Sequence, residues 1–353
     1  MKRIKLTAIL LAFLCFLTAC GTSAGSGNAE DAEETVTGEA ERTPDAEEPV
    51  NEETEQPPIN ADGHGGGPRG GGRGGMTVAN DPEIQAVLDE NAGKFEQRTF
   101  ADPDTADVLE YSLYIPDGYD ASASYPLLMF IPDSTGAGKS AKEIVEQYYG
   151  AAVWVTGEEQ AKHPSFVMVP AFTETVVDDD WNVSAQVETA VSLLRELQET
   201  YSIDASRLYT TGQSMGCMTS LYLNSKYPDL FAASMFVSGQ WDISALKPLE
   251  SQKFFYITAG GDAKASGGQD EVMALFDVDG VPYSYGEWNA QNSDEEQIAA
   301  VNALTEQGLN ANMVRFESGS VFKEGESGME HMASFNYGYK LSAVRDWLFA
   351  QCK

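Results

Sequence analysis

Short, continuous apolar runs recur between Val108 and Phe316, and helical patterns separate most of them. Most runs are apolar on successive residues, which is typical of strands in a parallel sheet that is covered on both faces. The predicted strands are Val108–Ile115, Leu127–Ile131, Phe166–Val169, Arg207–Thr211, Ala232–Val237, Phe254–Ala259 and Met313–Phe316. The predicted helices are Ser184–Thr200, Met215–Lys226, Ser293–Gln307 and Asn336–Phe349. This alternation predicts an α/β fold, with a mostly parallel central sheet and helices on both faces.

The first 20 residues have the pattern of an export signal. Three cationic residues precede an apolar stretch, Leu6 to Leu17, that is too short to span a bilayer comfortably, and small residues lead up to Cys20. A cysteine directly after the cleavage site resembles a bacterial lipoprotein signal. The resemblance implies that Cys20 carries a lipid and holds the protein on the outer face of a bacterial cell membrane. An ordinary secretory signal with an incidental cysteine is the alternative.

Residues 21–80 are rich in Ser, Thr, Gly, Pro, Asp and Glu and contain almost no large apolar side chain. Such a segment cannot bury enough surface to offset its conformational entropy, so it is predicted to be a disordered tether. Its end, "HGGGPRGGGRGG", contains only Arg69 and Arg73 as cations, which favours a flexible spacer over a nucleic-acid-binding segment.

The formal charge of −33 makes nucleic acid a poor partner for the protein surface. Residues 81–353 are predicted to form one folded domain, with Cys217 and Cys352 as free thiols.

The turn "IPDSTGAGKS" after the second predicted strand ends like a phosphate-binding loop. A loop of that kind needs glycine at its first position so that the backbone can fold round the phosphates. Asp133 occupies that position, and its carboxylate would repel an anion. The turn therefore does not predict a nucleotide site.

The sequence "GQSMG", Gly212 to Gly216, lies between a predicted strand and a predicted helix. Small residues two before and two after the serine let the backbone turn so sharply that the hydroxyl is exposed above the sheet. A serine hydroxyl is a weak nucleophile and needs a base, usually a histidine that is held by a carboxylate. Ser214 is therefore the candidate nucleophile.

The chain has three histidines that could act as this base. His64 lies in the tether and His163 precedes the serine, whereas His331 follows the last predicted strand and opens the predicted final helix. Only His331 fits the order of nucleophile, acid and histidine that an α/β-hydrolase has. The acid should follow a strand between the other two, and Asp262 in "FFYITAGGD" is the candidate. A surface histidine that only caps the helix is the alternative for His331.

From about Val108 onwards the chain resembles the α/β-hydrolase superfamily. It most resembles the secreted esterase and predicted-peptidase group that is related to feruloyl esterases, acetyl xylan esterases and polyhydroxyalkanoate depolymerases. The matching segments are "YSLYIPDGYDASASYPLLMFIPD", "YSIDASRLYTTGQSMGCMTSLYLNSKYPDLFAASMFVSG", "ITAGGD" and "EHMASFNYGYKLSAVRDWLF". The resemblance implies the α/β-hydrolase fold and a catalytic triad of Ser214, Asp262 and His331. It also implies an oxyanion hole formed by the backbone N–H groups of Met215 and Ser134.

Two positions depart from the pattern of this group. Cys217 stands where glycine commonly follows the serine motif, and a small thiol should pack similarly. Pro132-Asp133 stands where many relatives carry His-Gly, in the turn that supplies one oxyanion donor. Proline has no N–H, but the donor is expected at Ser134, so the oxyanion hole can survive the change.

Two tryptophans and an acidic run are weaker candidates for substrate binding. Trp181 and Trp288 are predicted either to face the cleft, as aromatic platforms for a sugar or phenolic group, or to pack in the core. The run Asp178–Asp180 is predicted to be a solvated turn rather than a cation site.

These features predict a lipid-anchored serine hydrolase that acts outside the cytoplasm, most of all a carboxylesterase for small-molecule or polysaccharide-linked esters. The prediction includes no metal and no organic cofactor. A serine peptidase of the prolyl-oligopeptidase type is one alternative, because triad chemistry does not distinguish an amide from an ester. A binding protein on a hydrolase scaffold that has lost its activity is the other.

Overall fold

One sheet of nine strands forms the centre of the computed structural model, which describes residues 81–353. The strands are β1 (Glu96–Ala101), β2 (Val108–Tyr114), β3 (Tyr125–Ile131), β4 (Phe166–Ala171), β5 (Ile203–Gln213), β6 (Ala233–Val237), β7 (Phe254–Ala259), β8 (Tyr283–Trp288) and β9 (Ala311–Phe316). Their order across the sheet is β1-β2-β4-β3-β5-β6-β7-β9-β8. The pairs β1–β2 and β2–β4 are antiparallel, and all the other neighbouring pairs are parallel. The predicted export signal (1–20) and tether (21–80) lie outside the described residues.

Helices cover both faces of the sheet, as the sequence predicts. They are α1 (Pro82–Asn91), α2 (Ala141–Gln147), α3 (Tyr149–Ala152), α4 (Gly157–Lys162), α5 (Gln186–Thr200), α6 (Met215–Lys226), α7 (Ala263–Asp279), α8 (Asp294–Thr305), α9 (Glu330–Lys340) and α10 (Ser342–Phe349). Within residues 81–353, none of them combines the length and the apolar character that crossing a bilayer requires.

Alternate side chains of the central strands enter two separate cores. In β3, Leu128 and Phe130 pack in the core that α1 to α3 and α8 to α10 cover, whereas Leu127, Met129 and Ile131 pack in the core under α5, α6 and α7. Both sets are fully buried. Because both faces of the parallel strands are covered, their residues are mostly apolar without interruption, which is why these strands could be predicted. All seven predicted strands are present.

The sequence missed the strands β1 and β8, which form the two edges of the sheet. In β1 only Phe100 is buried, and the rest of "EQRTFA" is polar or exposed. The sequence also predicted one final helix, Asn336–Phe349, and this prediction is wrong. The chain instead forms α9 and α10, which are separated at Leu341, whose backbone is not helical. His331 therefore lies in the first turn of the second-to-last helix and does not open the final one.

Candidate active site

Ser214 occupies a sharp turn between the end of β5 and the start of α6. Its backbone has φ 51° and ψ −117°, a region that residues with side chains rarely adopt. Two glycines make room for this turn. A Cβ on Gly216 would lie 2.0 Å from the backbone oxygen of Ile131, and one on Gly212 would lie 2.4 Å from the backbone of Gly216. The spacing in "GQSMG" is therefore dictated by backbone atoms that approach one another closely, as the nucleophile-elbow pattern predicts.

The structure brings Ser214, His331 and Asp262 together at the carboxyl ends of the parallel strands. His331 Nε2 lies 2.8 Å from Ser214 Oγ, and His331 Nδ1 lies 2.6 Å from Asp262 Oδ2. Asp262 follows β7 and is 6% exposed, and its other oxygen accepts the N–H of Ala265 in the first turn of α7. The carboxylate is thus held on both oxygens, and the imidazole is held between a carboxylate and a hydroxyl. This arrangement can deprotonate the serine and stabilise the imidazolium that results.

The two predicted oxyanion donors belong to residues that follow β3 and β5, which are parallel neighbours in the sheet. Ser134 opens a short helical turn directly after β3, and Met215 is the first residue of α6. Their backbone N–H groups donate to no other group of the described chain. The first N–H groups of a helix have no partner within the helix, so they are available for an anion. Both residues line the same cleft as Ser214.

A cleft of about 830 Å³ opens above these residues. Its walls include Met218, Gln240 and the loop that carries Asp178 and Asp179. Asp179 lies 2.5 Å from Lys264 Nζ and accepts a hydrogen bond of 3.0 Å from the Gln240 amide, and these contacts join that loop to the start of α7 and to the segment after β6. The cleft therefore has carboxylates on one wall, in the loop that carries Asp178 and Asp179.

Glu330 is a neighbour of the candidate triad whose contacts the sequence did not reveal. Its carboxylate accepts the N–H groups of Gly261 at 2.9 Å and Gly319 at 2.8 Å. Glu330 directly precedes His331, and Gly261 directly precedes Asp262, so the contact joins the two segments that carry the acid and the base. A Cβ on Gly261 would lie 2.0 Å from the Glu330 carboxylate, so a larger residue here would displace that carboxylate. The only signal in the sequence is a carboxylate next to the histidine, which is too common to predict such a contact.

The two tryptophans do not line the cleft. Trp288 is 8% exposed, packs against Phe316, and donates from Nε1 to Gln297 Oε1 at 2.5 Å, so it belongs to the core. Trp181 is partly exposed and packs edge-on against Trp241 at 5.3 Å. Trp181 lies close in sequence to Asp178 and Asp179, which line the cleft, but Trp181 does not line it.

The acidic run forms an exposed turn. The Asp178 carboxylate accepts the backbone N–H groups of Asp180 and Asn182, both at 3.0 Å. The carboxylate is therefore occupied by the turn that it stabilises, as expected of a solvated turn.

Cys217 lies in α6 immediately behind the serine turn and is fully buried. Burial in this apolar setting raises the pKa of its thiol, so the group stays neutral beside the site. Cys217 and Cys352 are both free cysteines, as the sequence predicted.

His163 is the other histidine of the described residues, and it does not contact Ser214. Its Nε2 lies 2.8 Å from Asp346 Oδ1.

Comparison with known proteins supports the assignment of this fold. A family model described as putative esterase matches residues 106–319. The crystal structure of a thermostable esterase is similar with a TM-score of 0.55 and 23% identity, over 76% of this chain and 64% of that one. The chain thus spans less than two thirds of the length of that esterase. No curated protein matches this chain.

Two feruloyl esterases are similar at lower scores. The feruloyl esterase module from Clostridium thermocellum has a TM-score of 0.47 and 13% identity, over 71% of this chain and 87% of that one. The ferulic acid esterase from Anaeromyces mucronatus has a TM-score of 0.44 and 12% identity, over 72% and 91%. The mostly parallel sheet is that of the α/β-hydrolases, as the resemblance implied. Since the family model covers more than half of the chain, the protein belongs to the putative esterase family.

Proposed function

We propose that the protein is a serine hydrolase that cleaves carboxylic esters, with Ser214, His331 and Asp262 as its catalytic residues. The observation that carries the proposal is the series of hydrogen bonds from Asp262 through His331 to Ser214, which ends at the base of an open cleft. Membership of the esterase family supports the same chemistry.

The geometry suggests a two-step mechanism. Ser214 Oγ attacks the ester carbonyl carbon while His331 Nε2 takes the hydroxyl proton, and the N–H groups of Met215 and Ser134 stabilise the oxyanion. The intermediate expels the alcohol, which takes the proton from His331, and leaves an acyl group on Ser214. A water molecule then gives a proton to His331 and attacks the acyl group. The carboxylic acid leaves, and the proton returns to Ser214. Asp262 keeps the imidazole in the required tautomer throughout.

The charge of the cleft favours a neutral substrate. Asp178, Asp179 and Glu330 all line the cleft, and Lys264 is already paired with Asp179. An anionic acyl or alcohol group would be repelled there, whereas an acetyl or feruloyl ester of a small molecule or a polysaccharide would not. The resemblance to feruloyl and acetyl xylan esterases points to the same substrates.

We expect the full-length protein to hydrolyse p-nitrophenyl acetate and methyl ferulate, and to cleave peptide p-nitroanilides much more slowly. An amide nitrogen is a poorer leaving group than an alkoxide. A site that cleaves esters therefore needs further positioning of the substrate to cleave an amide. Initial rates on the three substrates at equal concentration measure the difference. Faster cleavage of the anilides would favour a peptidase. Absence of turnover, together with no fluorophosphonate adduct on Ser214 in folded protein, would favour a binding protein.

We also propose that the protein is held by a lipid on Cys20 at the outer face of a bacterial cell membrane, with residues 21–80 as a flexible spacer. The basis is the export signal followed by cysteine and then by a long polar segment.

Replacing Cys20 with serine should move the protein from the membrane fraction to the soluble fraction of a bacterial host, because the lipid cannot be attached. Immunoblots of the two fractions measure this, and incorporation of labelled palmitate should disappear together with the membrane signal. Cys352→Ser is the matched control and should stay with the membranes. If Cys20→Ser stays there as well, the protein is not anchored through this residue.

A further inference from the structure

Asp133 is a buried carboxylate directly behind the turn that carries one oxyanion donor. It is 3% exposed, and four groups lie within hydrogen-bonding distance of it. Its Oδ1 accepts from the Thr135 backbone N–H at 2.8 Å, the Thr135 hydroxyl at 2.6 Å and the Tyr148 hydroxyl at 3.0 Å. Its Oδ2 accepts from the Gln213 amide at 2.8 Å. These donors compensate for the burial of its charge.

The contact with Gln213 joins the two segments that form the oxyanion hole. Asp133 directly precedes Ser134, and Gln213 directly precedes Ser214 and Met215. The backbone pairing between β3 and β5 ends at Ile131 and Gly212. The residue that follows β3 is Pro132, which has no N–H to donate to a neighbouring strand. The side-chain hydrogen bond between Asp133 and Gln213 is the next connection between the two segments.

We propose that Asp133 and Gln213 are positioning residues that fix the separation of the Ser134 and Met215 N–H groups around the oxyanion. The proposal rests on the esterase function proposed above. The hydrogen bond between Asp133 and Gln213 connects the two segments beyond the last backbone pair of β3 and β5. The Pro-Asp turn can therefore still hold the Ser134 N–H in place. Neither side chain touches the substrate carbonyl in this arrangement, and both act through the backbone that they hold.

Tyr148 supports the pair from the other side. Burial and the neighbouring Asp133 charge raise the pKa of the Tyr148 phenol, so the hydroxyl remains protonated and can donate. The Tyr148 hydroxyl also lies 2.9 Å from the Thr135 hydroxyl, so Tyr148 contacts the residues on both sides of Ser134.

The first test compares Asp133→Ala with Asp133→Asn. Asp133→Ala should lower kcat for p-nitrophenyl acetate about a hundredfold with little change in KM, since removal of an oxyanion donor elsewhere costs a similar factor. Its affinity for a trifluoromethyl ketone, which forms a tetrahedral oxyanion with the serine, should fall in parallel with kcat/KM. Asp133→Asn should keep activity within about tenfold of the parent, because the Gln213 amide can rotate and accept from the new amide.

The second test uses Gln213→Leu, which leaves Asp133 in place and removes only the connection. It should lower kcat and trifluoromethyl ketone affinity by about tenfold or more, with a smaller effect on KM. This variant also decides the question if Asp133→Ala does not fold. Asp204→Ala is the control for stability. Asp204 is remote from the cleft and caps its own turn through Ser206, so this variant should keep the affinity for the ketone.

Two outcomes separate this inference from the proposed function. If the parent hydrolyses esters and Gln213→Leu retains the parental kcat and ketone affinity, the positioning role is wrong while the esterase function stands. If the parent neither hydrolyses esters nor binds the ketone, the esterase function itself is wrong, and with it this inference.

Discussion

Replacing Ser214 with alanine is expected to lower kcat/KM for ester hydrolysis by about 10⁴-fold to 10⁶-fold, since loss of a serine nucleophile has effects of this size in other triad enzymes. Alanine has no hydroxyl that can attack the carbonyl, and His331 Nε2 loses the partner that it contacts at 2.8 Å. The remaining rate should come from substrate binding and the oxyanion donors, which the substitution leaves in place. Initial rates with p-nitrophenyl acetate, at enzyme concentrations high enough to detect the residual activity, measure the change.

The matched control is Ser251→Ala, which removes a hydroxyl from an exposed serine whose contact is with the Pro248 carbonyl. It should hydrolyse the ester at the parental rate. The thermal unfolding midpoints of both variants should stay close to that of the parent, because neither substitution creates a large cavity. Parental activity in Ser214→Ala, confirmed after a second purification step, would show that another group is the nucleophile.

The central strands could be predicted because burial on both faces leaves a continuous apolar run. In β7 all six residues are buried, and "FFYITA" has no polar residue except threonine. In the edge strand β8 buried residues are mixed with partly and fully exposed ones, and its sequence "YSYGEW" mixes polar residues with aromatic ones. Its pairing with β9 is a tertiary contact, which local sequence does not encode.

The candidate triad could be predicted because each residue follows a recognisable local pattern. Ser214 lies in a turn whose glycines are required by close backbone contacts, and Asp262 follows a buried strand. His331 could be chosen because the chain contains so few histidines. The sequence could not predict that Asp133 contacts Gln213, because the two residues are 80 positions apart and neither belongs to a motif that specifies its partner. Asp133 served in the sequence only as an argument against a phosphate site, and the structure shows that its carboxylate is occupied by four donors.

The tryptophans illustrate a second limit of the sequence. Aromatic residues near a cleft and aromatic residues in a core have the same local pattern, so the sequence left both readings open for Trp288. Its neighbours decide the matter, since Gln297 binds the indole N–H and Phe316 packs against the ring. Both partners come from other elements of the fold.

Replacing Asp262 with asparagine should lower kcat by about 10⁴-fold at neutral pH while the fold is retained. The reason lies in the two contacts of the carboxylate. Oδ1 accepts the Ala265 N–H at 3.2 Å at the start of α7, and an asparagine would keep its carbonyl oxygen there. Its NH₂ group would then face His331 Nδ1, which accepts that hydrogen bond only in the tautomer that carries its proton on Nε2. In this tautomer Nε2 cannot accept the Ser214 proton.

The measurement is kcat for p-nitrophenyl acetate together with the thermal unfolding midpoint, and Asp270→Asn is the matched control. Asp270 is exposed and pairs with Arg315 at 2.6 Å, so its loss should affect stability slightly and kcat hardly at all. If Asp262→Asn keeps kcat within about tenfold of the parent, Asp262 does not select the tautomer of His331. Glu330, which binds the segment before Asp262, would then be the next carboxylate to replace. The expected result is instead a large loss in kcat with KM nearly unchanged, because Asp262 acts on the proton of His331 and not on the bound ester.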